Sequence, residues 1–206
     1  MTGPDEVWYV FGYPSLGEMQ TAGDAEDANA AVQAITEKFL PREADNVQDE
    51  SSMILMLRED LSYSTLRPQW ENRFMSITRI RVRPGHEAEF VEARGALKTA
   101  HEKAALPDGF AIYRVTDGMP GGTWYQLAGR KSLAELDDAA KTHADPAYLA
   151  SLGADWPKRS AALAQAYEMT TEANLFSMSP GMSIVPKEWS AADSFWKPKA
   201  PPKKAP

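Results

Sequence analysis

The chain contains no cysteine, so disulfides, thiolate nucleophiles and cysteine-ligated metal sites are excluded together. Long apolar runs are missing as well. The longest, Met53 to Leu57, is far too short to span a bilayer, and no basic stretch followed by an apolar one stands near Met1. Histidine is scarce, with only three, His86, His101 and His143, and they show no H-x-x-x-H or H-E-x-x-H spacing. His86 and His101 fall far apart on one expected helix, which predicts no shared metal ion. The sequence also lacks a G-x-S-x-G elbow, a P-loop and a G-x-G-x-x-G turn, which removes the usual support for hydrolase, nucleotide and dinucleotide chemistry. No metal and no cofactor is therefore expected.

What is present is an ordinary globular composition. The 206 residues are 43% hydrophobic and 25% charged, enough to bury a core and outside the disordered range. Net charge is −7 even though Lys197, Lys199, Lys203 and Lys204 stand in a stretch without one acid. An acidic body repels phosphate backbones and anionic lipid, so neither nucleic acid nor membrane is an expected partner. As written the chain is soluble and carries no address. The reading is cytoplasmic for this sequence, or periplasmic for a form with a longer N-terminus.

A phrase recurs. "VWYVFGYPSLGEM" begins at Val7 and "TWYQLAGRKSLAEL" at Thr123. Each has aromatic and β-branched residues suited to a strand, then a glycine (Gly12, Gly129), then S-x-x-E, the signature of a helix-capping box at Ser15 and Ser132. Each is followed by an alanine-rich helical stretch and a strand rich in Met, Leu and Phe, so the chain reads as two copies of one unit. Only the second copy has a front half. "RFMSITRIRVRPG" predicts a strand from Phe74 to Val82, "HEAEFVEARGALKTAHEKAA" a helix with Phe90, Leu97 and Ala104 on one side, and "GFAIYRV" a strand joined through "TDGMPGG" to the repeated phrase.

The complete unit therefore reads β-α-β-β-α-β, a ferredoxin-like α+β plan with an antiparallel sheet, preceded by a partial second copy. The predicted boundaries are residues 1–63 for the partial β-α-β rear half, 64–73 for a linker, 74–185 for the complete unit and 186–206 for a Pro/Lys-rich mobile tail. Within that tail Trp189 and Trp196 are candidates to dock on the body. The first strand of such a sheet lies between the third and fourth, so the strands expected at Val7 and Met53 lack their common neighbour. Either the chain is an N-terminally shortened form of a two-copy protein, or another chain or the second copy's sheet supplies the missing strand.

The segment "VRPGHEAEF", Val82 to Phe90, resembles the first strand-to-helix junction of dimeric α/β-barrel proteins, the superfamily that includes antibiotic-biosynthesis-monooxygenase-like domains. The resemblance covers Phe74 to about Ile184 as a complete unit and Val7 to about Tyr63 as a rear half. It implies that two units pair through their sheets into a barrel, as a homodimer or a pseudo-dimer. Cofactor-free monooxygenases of this class use Asn, Tyr, Trp and Arg near an aromatic substrate, and haem-degrading members use Asn, His and Trp. Neither set maps residue by residue, since the first complete strand has no Asn or His after Asn72 and no histidine lies in the sheet.

The candidate ligand-binding residues are aromatic and basic positions on the expected strands: Tyr113, Arg114, Trp124, Tyr125, Arg79 and Trp8. Alternation must turn some of them toward one side of the sheet, where an apolar cavity with a few placed polar groups would make a small-molecule site. Two readings stay open. One is a protein that binds a small apolar or aromatic molecule without metal. The other is a cofactor-independent monooxygenase or related oxidoreductase.

Overall fold

The computed structural model describes residues 5–64, 68–167 and 171–197. The chain divides into a small unit, residues 4–52, and a large one that begins at Met53.

The small unit contains two helices. Helix α1, Leu16–Asp27, starts where Ser15 Oγ accepts from the Glu18 N–H at 3.1 Å, which satisfies one of the donors left free at a helix start. Asn29 does the same for α2, Ala30–Asn46, accepting from Ala31 N–H at 3.1 Å. The strand expected at Val7–Phe11 does not form. Strand propensity reflects how well a side chain fits a pleated, half-buried surface; with no ladder for this stretch to join, its aromatic residues give it no strand structure. Val7, Tyr9, Val10 and Phe11 are exposed. The small unit is thus not the rear half of a ferredoxin-like copy.

The large unit carries a five-stranded antiparallel sheet in an α+β arrangement. Its strands are β1 (Ile54–Leu57), β2 (Phe74–Arg81), β3 (Ala111–Asp117), β4 (Thr123–Arg130) and β5 (Glu172–Ser177), in the order β1-β3-β4-β2-β5. Strand β2 is an interior strand between β4 and β5. It pairs with β4 from Phe74↔Arg130 to Arg81↔Thr123 and with β5 from Phe74↔Ser177 to Arg79↔Glu172. The four strands β2 to β5 therefore have the split βαβ order, with the first strand between the third and fourth. The boundary expected at Tyr63 moves to Ser52/Met53, because β1 pairs with β3 (Leu57↔Tyr113) and extends the edge of the complete unit's sheet. That edge supplies the neighbour which the Met53 strand lacked.

Helix α3, Glu87–Ala104, follows Pro84 and a left-handed Gly85 (φ 87°), with Glu87 and Glu89 in its first turn, where the helix dipole favours acids. It ends at Ala105, also left-handed, whose N–H and that of Leu106 close on the carbonyls of Glu102 and His101. Phe90 on α3 packs on Trp124 of β4 with ring centroids 4.8 Å apart. Leu61, Ile80, Val82 and Ile112 complete the core between sheet and helix, and Leu163 of α6 (Trp156–Ala166) packs beside it. Ala104, expected on the buried side, is exposed at the helix end. Helices α4, Ala134–Ala144, and α5, Pro146–Ser151, bring Tyr148 and Leu152 against Ala100 of α3 in a second small cluster. At α4 the Ser132 cap is not made. The helix begins one residue later, with Leu133 at the cap position and no side-chain cap, while Glu135 accepts from the Lys131 N–H at 2.8 Å. No helix among the described residues is long and apolar enough to cross a membrane.

The segment expected as a mobile tail is ordered well beyond Pro186. Helix α7, Lys187–Ala192, leads to a turn at Ser194–Trp196. Trp196 is buried, and its indole N–H donates to the Trp70 carbonyl at 2.7 Å. Arg73 pairs with the Asp193 carboxylate and lies 4.2 Å over the Phe195 ring. Residues 198–206, the rest of the expected tail, lie outside the described residues, as do Thr65–Arg67 of the expected linker. The Phe195 N–H, and after it Arg73, hold the Asp193 carboxyl below the usual carboxylate range. A depressed acid stabilises the folded contact above its ordinary pKa of about 3.9 and loses that contribution as pH falls toward the depressed value. Acidification below pH about 4 is therefore expected to loosen this segment. Asp193→Ala is expected to loosen it at neutral pH, making trypsin cleavage after Lys187 several-fold faster. Cleavage at the wild-type rate would show that the Trp196 contact alone holds the segment.

Candidate functional site

The antiparallel register sorts the six candidate residues. Glu172, Arg79, Tyr125, Tyr113 and Leu57 form one continuous row across the five strands. Side chains alternate along a strand, and Trp124 faces α3, so the row faces the other way. Three candidates, Arg79, Tyr125 and Tyr113, are thus brought together. Arg79 is ion-paired with Glu172, and its buried Nε has no hydrogen-bond partner among the described residues. Burial pushes the Tyr113 phenol upward, so it remains a neutral hydroxyl near neutral pH.

The other three separate. Trp124 is fully buried against Phe90 and is core. Arg114, its neighbour across the β3–β4 pair, lies on the same side, 5.9 Å from the Trp124 ring and 3.2 Å from the Glu87 carboxylate. Trp8 belongs to the small unit.

A cavity of about 200 Å³ opens beside Tyr113, with Met75, Leu127, Phe110 and Tyr63 as its apolar wall and Gln69 and Asn72 at one end. Asn72 is buried, and its amide donates to Gln69 Oε1 at 3.0 Å. It can lie there because residue 129 is glycine. A Cβ at Gly129 would stand 2.3 Å from Asn72 Nδ2, well inside contact distance. Asn72 was read from sequence as the end of a linker, and nothing in its spacing marks it as a cavity residue. Among the described residues that line this cavity, none is an acid, histidine, lysine or arginine. These residues can hydrogen-bond through the Tyr113 phenol, the Ser64 hydroxyl and two carboxamides, and none of them is a general base at neutral pH.

A second cluster lies at the end of α3. His101, Asp108 and His143 each offer one ligand atom, all within 4.8 Å of one another. Burial pushes the His101 imidazole below its usual range. Tyr148, whose hydroxyl lies 3.2 Å from His101 Nδ1, is pushed up to about 12 by burial and by the Asp108 charge. Sequence reasoning missed this cluster because it compared only His86 with His101, and His86 instead pairs with Glu89 at 3.4 Å.

No protein family and no curated protein matches the chain. Among solved structures, the crystal structure of an anthrone oxidase-like protein is similar at a TM-score of 0.46 and 12% identity, over 78% of this chain. The match spans 65% of that protein's length. Fold class therefore rests on the strand order and register described above.

Proposed function

We propose that the large unit binds a small aromatic compound of one ring, carrying a hydroxyl or carbonyl group, in the cavity beside Tyr113. The observation that carries this reading is the uncharged lining among the described residues: the neutral Tyr113 phenol, the Ser64 hydroxyl and two carboxamides set into an apolar wall. Such a site pairs the polar group of an aromatic ligand while taking its ring out of water. A volume of about 200 Å³ suits one ring better than a fused system.

The test is titration of the full chain with p-cresol, followed by two-dimensional NMR. Tyr113→Phe removes one hydrogen bond and is expected to weaken binding about 3–10-fold. Leu127→Trp fills the cavity and is expected to abolish binding. Unchanged affinity in both variants would overturn the proposal.

The second reading, cofactor-independent oxygenation, is supported by Tyr113 and Asn72 sharing one cavity, two of the residue types the resemblance implies. Its balanced reaction converts a substrate methylene and dioxygen into a carbonyl and water. Oxygen uptake with 4-ethylphenol, a one-ring phenol bearing a benzylic methylene, above the uncatalysed rate and lost in Tyr113→Phe, would favour this second reading over simple binding.

A further inference from the structure

His101, Asp108 and His143 come from α3, the turn before β3 and the last turn of α4. His101 Nδ1 lies 2.8 Å from the Leu97 carbonyl oxygen one helical turn back. The nearer carbonyl oxygen can only accept, and the Tyr148 hydroxyl oxygen at 3.2 Å can accept as well, so the tautomer that satisfies both contacts carries its proton on Nδ1 and its lone pair on Nε2. Fixing an imidazole in this way is how proteins orient a histidine for a metal. The ring is further held edge-on by Phe110 at 5.0 Å and Tyr148 at 5.5 Å, so this first ligand is immobile before any ion arrives.

The other two groups are close to each other without bonding. Asp108 Oδ2 lies 3.9 Å from His143 Nε2, beyond hydrogen-bond length, and 4.0 Å from Arg130 Nη2. The Asp108 carboxylate is largely enclosed, whereas His143 is 45% exposed and has room to rotate. Bonds of about 2.0–2.2 Å in a tetrahedral site place the donor atoms about 3.4 Å apart. Contraction from the present spacing, 3.9 Å between Asp108 and His143, draws first on rotation of the half-exposed His143 side chain.

We propose that His101, Asp108 and His143 hold a zinc-type divalent ion through two imidazole nitrogens and one carboxylate oxygen, with the fourth position open to water beside His143. Two nitrogens and one oxygen suit zinc, while magnesium and calcium call for oxygen ligands. Arg130 stands behind Asp108 as a positive neighbour and sets a limit on affinity that a site without it would not have. The site adjoins the aromatic cavity through Phe110, but none of its three ligand residues lines that cavity.

The experiment uses the untagged full chain, stripped with EDTA and titrated with zinc sulfate by calorimetry and by competition with a chromophoric chelator. One equivalent is expected to bind. His143→Ala and Asp108→Asn are each expected to weaken it at least about tenfold, while His86→Ala and Tyr113→Phe leave it unchanged. Zinc is also expected to shift the His101 and His143 ring resonances of the wild-type chain, a reading that needs no variant to fold. A wild-type chain that binds no zinc, or that keeps full affinity in both ligand variants, would overturn the proposal, since a simple Asp108–His143 ion pair binds no metal.

Discussion

Trp124→Ala is expected to destabilise the large unit by about 3–5 kcal/mol, the range for removing a buried aromatic side chain and leaving a cavity. Trp124 has no exposed surface and lies at the centre of the core. Its ring meets Phe90 at 4.8 Å, and the guanidinium groups of Arg58 and Arg114 lie 5.6 and 5.9 Å away, contacts that alanine would lose. Trp124→Phe should cost much less. It keeps the aromatic contact and removes an indole N–H that is buried with no partner among the described residues, so no hydrogen bond described there is lost. Urea unfolding with an unchanged denaturant slope measures both. An alanine variant that lost less than about 1 kcal/mol would mean that Trp124 is not a core residue.

Gly129→Val is expected to lose about 1–3 kcal/mol, the cost of overpacking, together with p-cresol binding. On propensity alone the opposite sign would follow, because valine suits a strand interior and glycine weakens one. Contact decides the matter. A Cβ at this position would lie 2.3 Å from Asn72 Nδ2 and 2.5 Å from its Cγ. Asn72 is only 4% exposed and is tied to Gln69, so its carboxamide cannot swing aside without breaking that bond. The double substitution Asn72→Ala with Gly129→Ala removes the clash, and its stability should exceed the sum predicted from the two single changes. Gly129→Val that matches the wild-type unfolding midpoint would show that the close approach costs nothing.

Much of the fold was legible because it is written in local pattern. Alternating residues from Phe74 to Val82, the Pro84–Gly85 stop, and the "TDGMPGG" turn gave the strands and the hairpin, and the split order follows from those elements. The site was legible in part. Tyr113, Tyr125 and Arg79 were expected on strands, but their grouping and the exclusion of Arg114 and Trp124 depend on register, which fixes the side of the sheet each residue faces.

By itself, the sequence determined the absence of thiol chemistry, the capped start of α1 at Ser15 and the plan of the complete unit, since each depends on residues close together in the chain. Tertiary structure decided the rest. Val7–Phe11 and Thr123–Leu127 carry nearly the same phrase, yet only the second is a strand, because β2 and β3 offer it hydrogen bonds on both sides. Met53–Leu57 could have closed a first copy but pairs with β3 instead. The His101–Asp108–His143 cluster has no spacing signature because its members come from three elements, and only the packing of α4 and α5 against the end of α3 brings them within reach of one ion.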